Sequence, residues 1–209
     1  SKIISNYPQD WKELLFNRVC NLEKGRFKFF HFHEFQNNIP PNWFLNPFNQ
    51  SSVKNPKKHW TELGDFDLGI GDIKTIWELS RFDWLNDFCR AYKISGDIKY
   101  LNIINEWLAD WSLNNPKNQG PNWKCGQETS IRVMKLISCS EILEQENDAL
   151  PLLQNLIYDH LERINGNIYY AIAQDNNHGT SEAAALFIGA LWLANQNNTE
   201  NFSNKKLIK

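Results

Sequence analysis

The fold is decided by residues 71–111, which read GDIKTIWELSRFDWLNDFCRAYKISGDIKYLNIINEWLADW. Apolar residues recur there at spacings of three and four, which places them on one face of an α-helix. Asp72 and Asp97 stand where helix N-caps are expected, and Gly96 lies between two of the helical patterns. The stretch therefore predicts three consecutive helices that are separated by short breaks.

The same pattern continues toward the C-terminus. Further helices are predicted at about residues 128–145, 149–164 and 180–194. The recurring order of helix, short break and helix is typical of antiparallel helical hairpins. We therefore predict a mainly α protein.

The N-terminal part of the chain has a different character. We predict a helix over about residues 10–22, with Asp10 as its N-cap. Aromatic and polar residues alternate over 27–35, which predicts a short strand. Residues 36–58 are rich in proline and asparagine and predict a long loop. We treat this N-terminal part (1–60) and the helical part (61–209) as one domain.

Composition excludes several classes of protein. The 209 residues carry 22 basic and 24 acidic side chains, a net charge of −2, without the basic excess that is typical of nucleic-acid binders. A hydrophobic content of 42% is ample for a packed core and excludes global disorder. No apolar run approaches the roughly 20 residues that cross a bilayer. The first residues lack the apolar core of a signal peptide, so we expect a cytoplasmic protein or a mature form without its leader.

Neither a metal site nor a cofactor site is predicted. The four cysteines form no CxxC pair, and Cys89 and Cys139 lie among helical apolar positions, as small core residues do. His31 and His33 would share one face of a strand, but no acidic or thiol ligand lies close to them in sequence. The sequence contains no nucleotide-binding loop, so we expect no cofactor.

A polar cluster at residues 174–182 precedes the last predicted helix. In one interpretation, Thr180 or Ser181 caps that helix and the asparagines form the preceding turn. In the other, the helix N-terminus presents Asn177 and His178 to an anion, which free backbone N–H groups and the helix dipole would favour. Residue types alone leave both interpretations open.

Two more clusters could carry function. Trp123 follows Gly120 and Pro121 and could be a platform for stacking a sugar ring, or a tryptophan packed between helices. Glu78 and Arg81 are three residues apart on a predicted helix, a spacing that favours a local ion pair.

These clusters occur in an order that resembles the N-terminal helical toroid of the heparinase II/III-like family, which includes related alginate lyases. The resemblance spans about residues 43–193. The matching segments are GDIKTIWELSR (71–81), DIKY (97–100), residues 107–116, Asn122-Trp123 with Glu128 and Arg132, and Asn176-Asn177-His178.

The resemblance implies a fold and a reaction. The fold is an incomplete (α/α) toroid of helical hairpins, normally followed by a β-sandwich domain. The reaction is β-elimination at the uronic acid of an acidic polysaccharide. It requires neutralisation of the sugar carboxylate, a base that takes the C5 proton, and an acid that protonates the leaving oxygen.

The resemblance also implies roles for individual residues. Asn177 would be the catalytic residue that binds the substrate carboxylate, and His178 would lie near the proton-transfer centre. Glu78 and Arg81 would brace the helices. The residues expected near the substrate groove are Asn122, Trp123, Arg132 and Glu182.

The catalytic tyrosine of the family is expected beyond the Asn-Asn-His helix, in a segment that this chain does not contain. We therefore expect little or no formation of unsaturated uronate by this chain alone. We also expect residues 180–194 to lack a partner helix on one side. This open toroid end would pack against the missing C-terminal half and β-sandwich, or self-associate.

The alternatives are a non-catalytic glycan-binding toroid and an (α/α)-barrel glycoside hydrolase. Only 6 of the 22 basic residues are arginine, which favours a substrate with little sulfation. The resemblance implies a periplasmic or secreted protein, with a cytoplasmic location as the alternative.

Overall fold

The computed structural model describes residues 7–30, 32–66 and 69–196, and this part of the chain is mainly α, as predicted. In chain order the helices are α1 Gln9–Glu23, α2 Lys74–Ser80, α3 Asp83–Ser95, α4 Lys99–Asn114, α5 Gly126–Ile142, α6 Pro151–Asn165, α7 Ile168–Ala173 and α8 Asn177–Ala194. Short 3₁₀ turns lie at Trp60–Glu62 and Pro121–Trp123. None of the described helices is long and apolar enough to cross a bilayer.

Helix α5 lies at the centre of the packing, since it contacts α3, α6 and α8. Helix α3 also contacts α1 and α4, and both α6 and α7 pack against α8. The main hydrophobic core includes side chains from the N-terminal part as well as from the helices. Its fully buried aromatic members include Trp43, Phe82, Phe88, Trp107, Trp111 and Trp123.

Local sequence signals place the middle helices within one residue of the prediction, since the N-cap positions are Ile73 and Ile98 and not Asp72 and Asp97. The Asp72 carboxylate accepts a hydrogen bond from Lys74 N at 2.9 Å, and the Asp97 carboxylate accepts one from Lys99 N at 3.0 Å. Gly96 ends α3 in the left-handed conformation, with φ of 71°. These caps satisfy backbone groups that a helix end would otherwise leave unpaired.

The first helix begins earlier than predicted. Pro8 occupies the N-cap position with extended backbone (φ −54°, ψ 145°), so Asp10 lies inside the first turn instead of capping it. Its negative charge is still favourable there, because the N-terminal turn carries the positive end of the helix dipole.

The predicted single strand over 27–35 is wrong, because the chain folds there into an antiparallel hairpin. Strands β1 (Arg26–Phe29) and β2 (His33–Gln36) pair with Phe27 opposite Phe35. Phe30 begins the reversal with φ of 52°, a conformation that sequence patterns expect at glycine or asparagine. The alternation of aromatic and polar residues over 27–35 therefore gave no indication of a turn.

The two histidines of this hairpin do not test a metal site. His31 lies outside the described residues. His33 Nε2 lies 3.1 Å from the carbonyl oxygen of Pro47, and its ring stacks on Phe48 with ring centroids 4.3 Å apart.

The C-terminal hairpin differs from the prediction at two points. Helix α8 begins at Asn177, three residues before the predicted start, and the short α7 was not predicted at all. Six residues are too few for a helical period to stand out from the sequence.

An apolar face of α7 and α8 points outward. Its exposed members include Tyr169, Tyr170, Phe187, Ile188 and Leu191. That the last helix lacks a partner helix on one side, and that the chain self-associates through this face, both stay predictions.

Candidate functional site

Residues 176–178 form the exposed turn that begins α8. The Asn176 side chain is the N-cap, since its Oδ1 accepts a hydrogen bond from His178 N at 2.9 Å. Capping by Thr180 or Ser181 is therefore wrong. Asn177 is the first helical residue, and its side chain is exposed to solvent. Its amide group is thus free to meet a ligand beside the positive end of α8.

His178 and Glu182 lie one turn apart on the same face of α8. His178 Nδ1 is 3.7 Å from Glu182 Oε1, which is an ion-pair distance when the imidazole is protonated. The His178 side chain keeps 27% of its surface exposed, whereas that of Glu182 keeps 4%. Burial raises the pKa of the Glu182 carboxyl, and the neighbouring His178 and Arg163 oppose that rise. Glu182 is therefore a buried anchor that orients the imidazole and does not itself face solvent.

Glu182 reaches this position because the facing residue is Gly126, the first residue of α5. A β-carbon at Gly126 would overlap the Glu182 carboxylate. The carboxylate consequently lies against the N-terminus of α5, where the helix dipole favours negative charge. This contact ties the beginning of α8 to the beginning of α5.

Arg163, in the last turn of α6, was not among the predicted site residues. Its Nε donates to the carbonyl of Trp123 at 2.9 Å and its Nη2 to that of Lys124 at 2.8 Å. The guanidinium carbon lies 3.7 Å from the ring centroid of Trp60. Burial lowers the pKa of Arg163 to about 10, which Glu182 partly offsets. No sequence pattern marked Arg163, because its partners are backbone carbonyls about 40 residues away.

Three of the predicted groove residues lie in the interior. Asn122 and Arg132 are fully buried and Trp123 is 1% exposed. Trp123 donates its indole N–H to the Asn115 carbonyl at 3.0 Å, and the Asn122 amide donates to Asn115 Oδ1 at 2.9 Å. The sugar-stacking interpretation of Trp123 is therefore wrong in this chain, since its ring packs in the core.

Arg132 is held by neutral groups. Its Nε donates to His160 Nε2 at 2.9 Å, and its Nη2 donates to the Asn122 carbonyl at 2.7 Å. His160 Nδ1 donates to the Leu156 carbonyl at 2.7 Å, which fixes the tautomer whose Nε2 accepts. Burial lowers the pKa of Arg132 to about 9, and burial with the nearby Arg132 charge lowers the pKa of His160 well below its ordinary value. We call Asn122, Trp123, Arg132 and His160 the interior cluster.

Glu78 and Arg81 form the predicted local ion pair, and Arg81 also binds a second carboxylate. Its Nε and Nη2 each donate to the Glu128 carboxylate on α5 at 2.7 Å, in a bidentate fork. The arginine thus braces α2 against α5. Burial raises the pKa of Glu78, and the charge of Arg81 opposes that rise.

Two pockets of the described chain lie away from the exposed turn. One, of about 280 Å³, is lined by residues that include Val53, Lys58 and Leu63. The other, of about 350 Å³, lies between α1 and α3 and is lined by residues that include Trp11 and Asp87. Asn177 and His178 line neither pocket, so a trough in front of them stays a prediction.

The comparisons with known proteins give one distant relative. An alignment over 133 residues, which covers 61% of this chain, is 26% identical to a heparin-sulfate lyase from Bacteroides thetaiotaomicron. The alignment spans only 19% of the length of that lyase. No protein-family profile matches the chain, and no solved structure matches it. The similarity supports a distant, polysaccharide-lyase-like relationship.

Proposed function

We propose that this chain is the helical part of a polysaccharide lyase and that it binds a uronic-acid-containing glycan at the exposed turn. One observation carries the proposal: Asn177 and His178 stand side by side at the start of α8, accessible to solvent, on a helix end that the buried Glu182 anchors. The distant similarity to a heparin-sulfate lyase supports the same class of reaction.

The chemistry of β-elimination gives these residues their roles. A uronate holds its C5 proton too tightly while the adjacent carboxylate keeps its full charge. The Asn177 amide would donate hydrogen bonds to that carboxylate, with the positive end of α8 behind it. Charge that develops on the carboxylate in the transition state is then stabilised.

His178 would act at the proton-transfer centre. Its Nδ1 faces Glu182, so Nε2 is the nitrogen that is left to meet the sugar. The buried Glu182 carboxylate lies beside Nδ1 and would hold the ring in this orientation.

Three carboxylates of the described chain are already engaged within the protein, which does not favour the glycosidase alternative. Glu78 and Glu128 both bind Arg81, and Glu182 is buried against Gly126. A glycosidase needs two carboxyl groups that face each other across an accessible substrate. A non-catalytic glycan-binding protein would use the same exposed turn as a lyase. The binding experiment below therefore tests both roles.

The experiment is a calorimetric titration of the chain with uronate oligosaccharides, unsulfated and sulfated in parallel. We expect Asn177→Ala to weaken binding at least about tenfold, because a charge-assisted hydrogen bond contributes roughly 1.5–3 kcal/mol. His178→Ala should also weaken binding. We expect the unsulfated series to bind at least as well as the sulfated one.

The matched control is Gln174→Ala, which removes another exposed amide three residues before Asn177. Its affinity should equal that of the unchanged chain. Equal affinities for Asn177→Ala and the unchanged chain would remove the exposed turn from the binding site.

A further inference from the structure

Two cysteines that are distant in sequence meet in the core. Cys89 on α3 and Cys139 on α5 place their Sγ atoms 2.8 Å apart. Neither is accessible, with exposures of 0% and 4%. The separation is close to the S–S bond length of about 2.05 Å, so a shift of less than about 1 Å would join the two atoms.

The packing of two helices brings the cysteines together. Helices α3 and α5 contact each other directly, and Cys89 and Cys139 lie on their facing sides. Cys20 and Cys125 are the other two cysteines, and within the described residues neither is recorded in contact with another sulfur. Cys125 instead packs beside the smaller apolar cluster that includes Ile73 and Ile76.

We propose that Cys89 and Cys139 form a disulfide bond when the chain folds under oxidising conditions, and that this bond ties α3 to α5. The oxidant is a disulfide, such as glutathione disulfide or a disulfide-exchange protein. One cysteine thiolate attacks the oxidant and forms a mixed disulfide, which releases the first thiol.

The second cysteine thiolate then attacks the protein sulfur of the mixed disulfide and releases the second thiol. The two cysteines thereby lose two electrons and two protons, and the oxidant is reduced to two thiols. The S–S bond between Cys89 and Cys139 is the only new bond in the protein.

The timing of this step follows from the surroundings of the pair. The hydrogen bond to Cys139, together with burial, raises the pKa of the Cys89 thiol, so the reactive thiolate is scarce in the folded protein. An oxidant also cannot reach either sulfur there. The bond therefore forms during folding, before α3 and α5 have packed against each other. The folded reduced protein oxidises slowly.

The bond would fix the position of the helix on which the site depends. Helix α5 carries Arg132 and Glu128 and meets α8 through Gly126. A covalent tie to α3 restricts the unfolded chain by closing a loop of about 50 residues, which favours the folded state.

The test uses the full chain with Cys20→Ser and Cys125→Ser, so that only the proposed pair remains. This protein is refolded from denaturant either in a glutathione redox buffer or in excess reductant. In the redox buffer we expect a mass loss of two hydrogens and a linked peptide that contains Cys89 and Cys139. The thermal midpoint should be higher by about 5–10 °C than that of the reduced form.

The control adds Cys139→Ala to the same background. It should give no linked peptide and the same thermal midpoint in both buffers. Two free thiols after oxidative refolding, or glutathione attached to each cysteine, would overturn the proposal. In the unchanged chain, a link from Cys89 to Cys20 or Cys125 would overturn it as well. None of these results depends on glycan binding.

Discussion

The interior cluster and the exposed turn contain similar residue types in opposite surroundings. Each has an asparagine and a histidine. The resemblance of motifs implied that Asn122, Trp123 and Arg132 share one groove with Asn177 and His178, and it did not include His160. In the interior cluster, Arg132 donates to the His160 ring and to the Asn122 backbone carbonyl, and the Asn122 side chain donates to Asn115 Oδ1. At the exposed turn, Asn176 caps the helix and the next two side chains reach solvent.

The difference shows that burial decides the role of a polar side chain. A buried polar group has lost water as a partner, so the hydrogen bonds that it makes within the protein contribute to the stability and specificity of the fold. An exposed group is already satisfied by water and is available for a ligand. Substitutions in the interior cluster should therefore change stability, and substitutions at Asn177 should change binding.

The largest effect is expected for Arg132→Ala. The substitution leaves His160 Nε2 and the Asn122 carbonyl without their buried donor and opens a cavity. We expect a loss of about 3–5 kcal/mol in the free energy of unfolding, measured by urea denaturation. Lys135→Ala is the control on the same helix, because its partner Asp83 is mostly exposed. That change should cost less than about 1 kcal/mol.

If Arg132→Ala kept the stability of the unchanged chain and lost only glycan affinity, the assignment of a structural role to the interior cluster would be wrong. Arg132 would then belong to the binding site, as the sequence first indicated.

The next effect is a dependence of stability on pH that comes from His160. Its pKa is lowered in the folded state, so below about pH 6.5 the unfolded chain binds a proton that the folded chain does not. The contribution of His160 to the free energy of unfolding should thus be fully present above pH 6.5. It should fall as the pH drops, with a slope that approaches about 1.4 kcal/mol per pH unit.

His160→Gln isolates this contribution, because an amide can also accept from Arg132 and donate to the Leu156 carbonyl. We expect the slope below pH 6.5 to be smaller in this variant, as measured by urea denaturation across the range. Identical slopes in the two proteins would show that His160 is not the group that titrates.

The smallest effects are expected at the exposed turn, where two neighbouring asparagines differ in role. Asn176→Ala removes the N-cap of α8 and should cost about 1 kcal/mol of stability. Asn177→Ala removes an exposed side chain and should change stability by less than about 0.5 kcal/mol. Thermal unfolding of both variants measures the contrast. Equal losses would mean that Asn177 has a structural role.

Much of the helical architecture could be predicted from sequence because its signals are local. Asp72 and Asp97 bond to amides two residues away, and Gly96 adopts the left-handed conformation that ends α3. The β-hairpin was missed because its reversal begins at Phe30, a residue that does not mark a turn. Helix α7 was missed because it is too short to show a period.

The candidate site was proposed from a resemblance of motifs. The side chains of Asn177 and His178 are accessible to solvent, and their role in binding stays a prediction. Arg163 was missed because its partners are backbone carbonyls, which every residue has and which a sequence pattern therefore cannot identify. The pairing of Cys89 with Cys139 was invisible because 50 residues separate them.

The sequence by itself determined a mainly α chain, most of its helices and the polar turn before α8, because those features depend on residues within a few positions of one another. Only the tertiary structure decided which polar side chains are inside. The Asn122 amide donates to the Trp43 carbonyl, and Arg132 donates to His160, so both contacts join parts of the chain that are distant in sequence. Burial is a property of such packing, and packing sets whether a polar group stabilises the fold or meets a ligand.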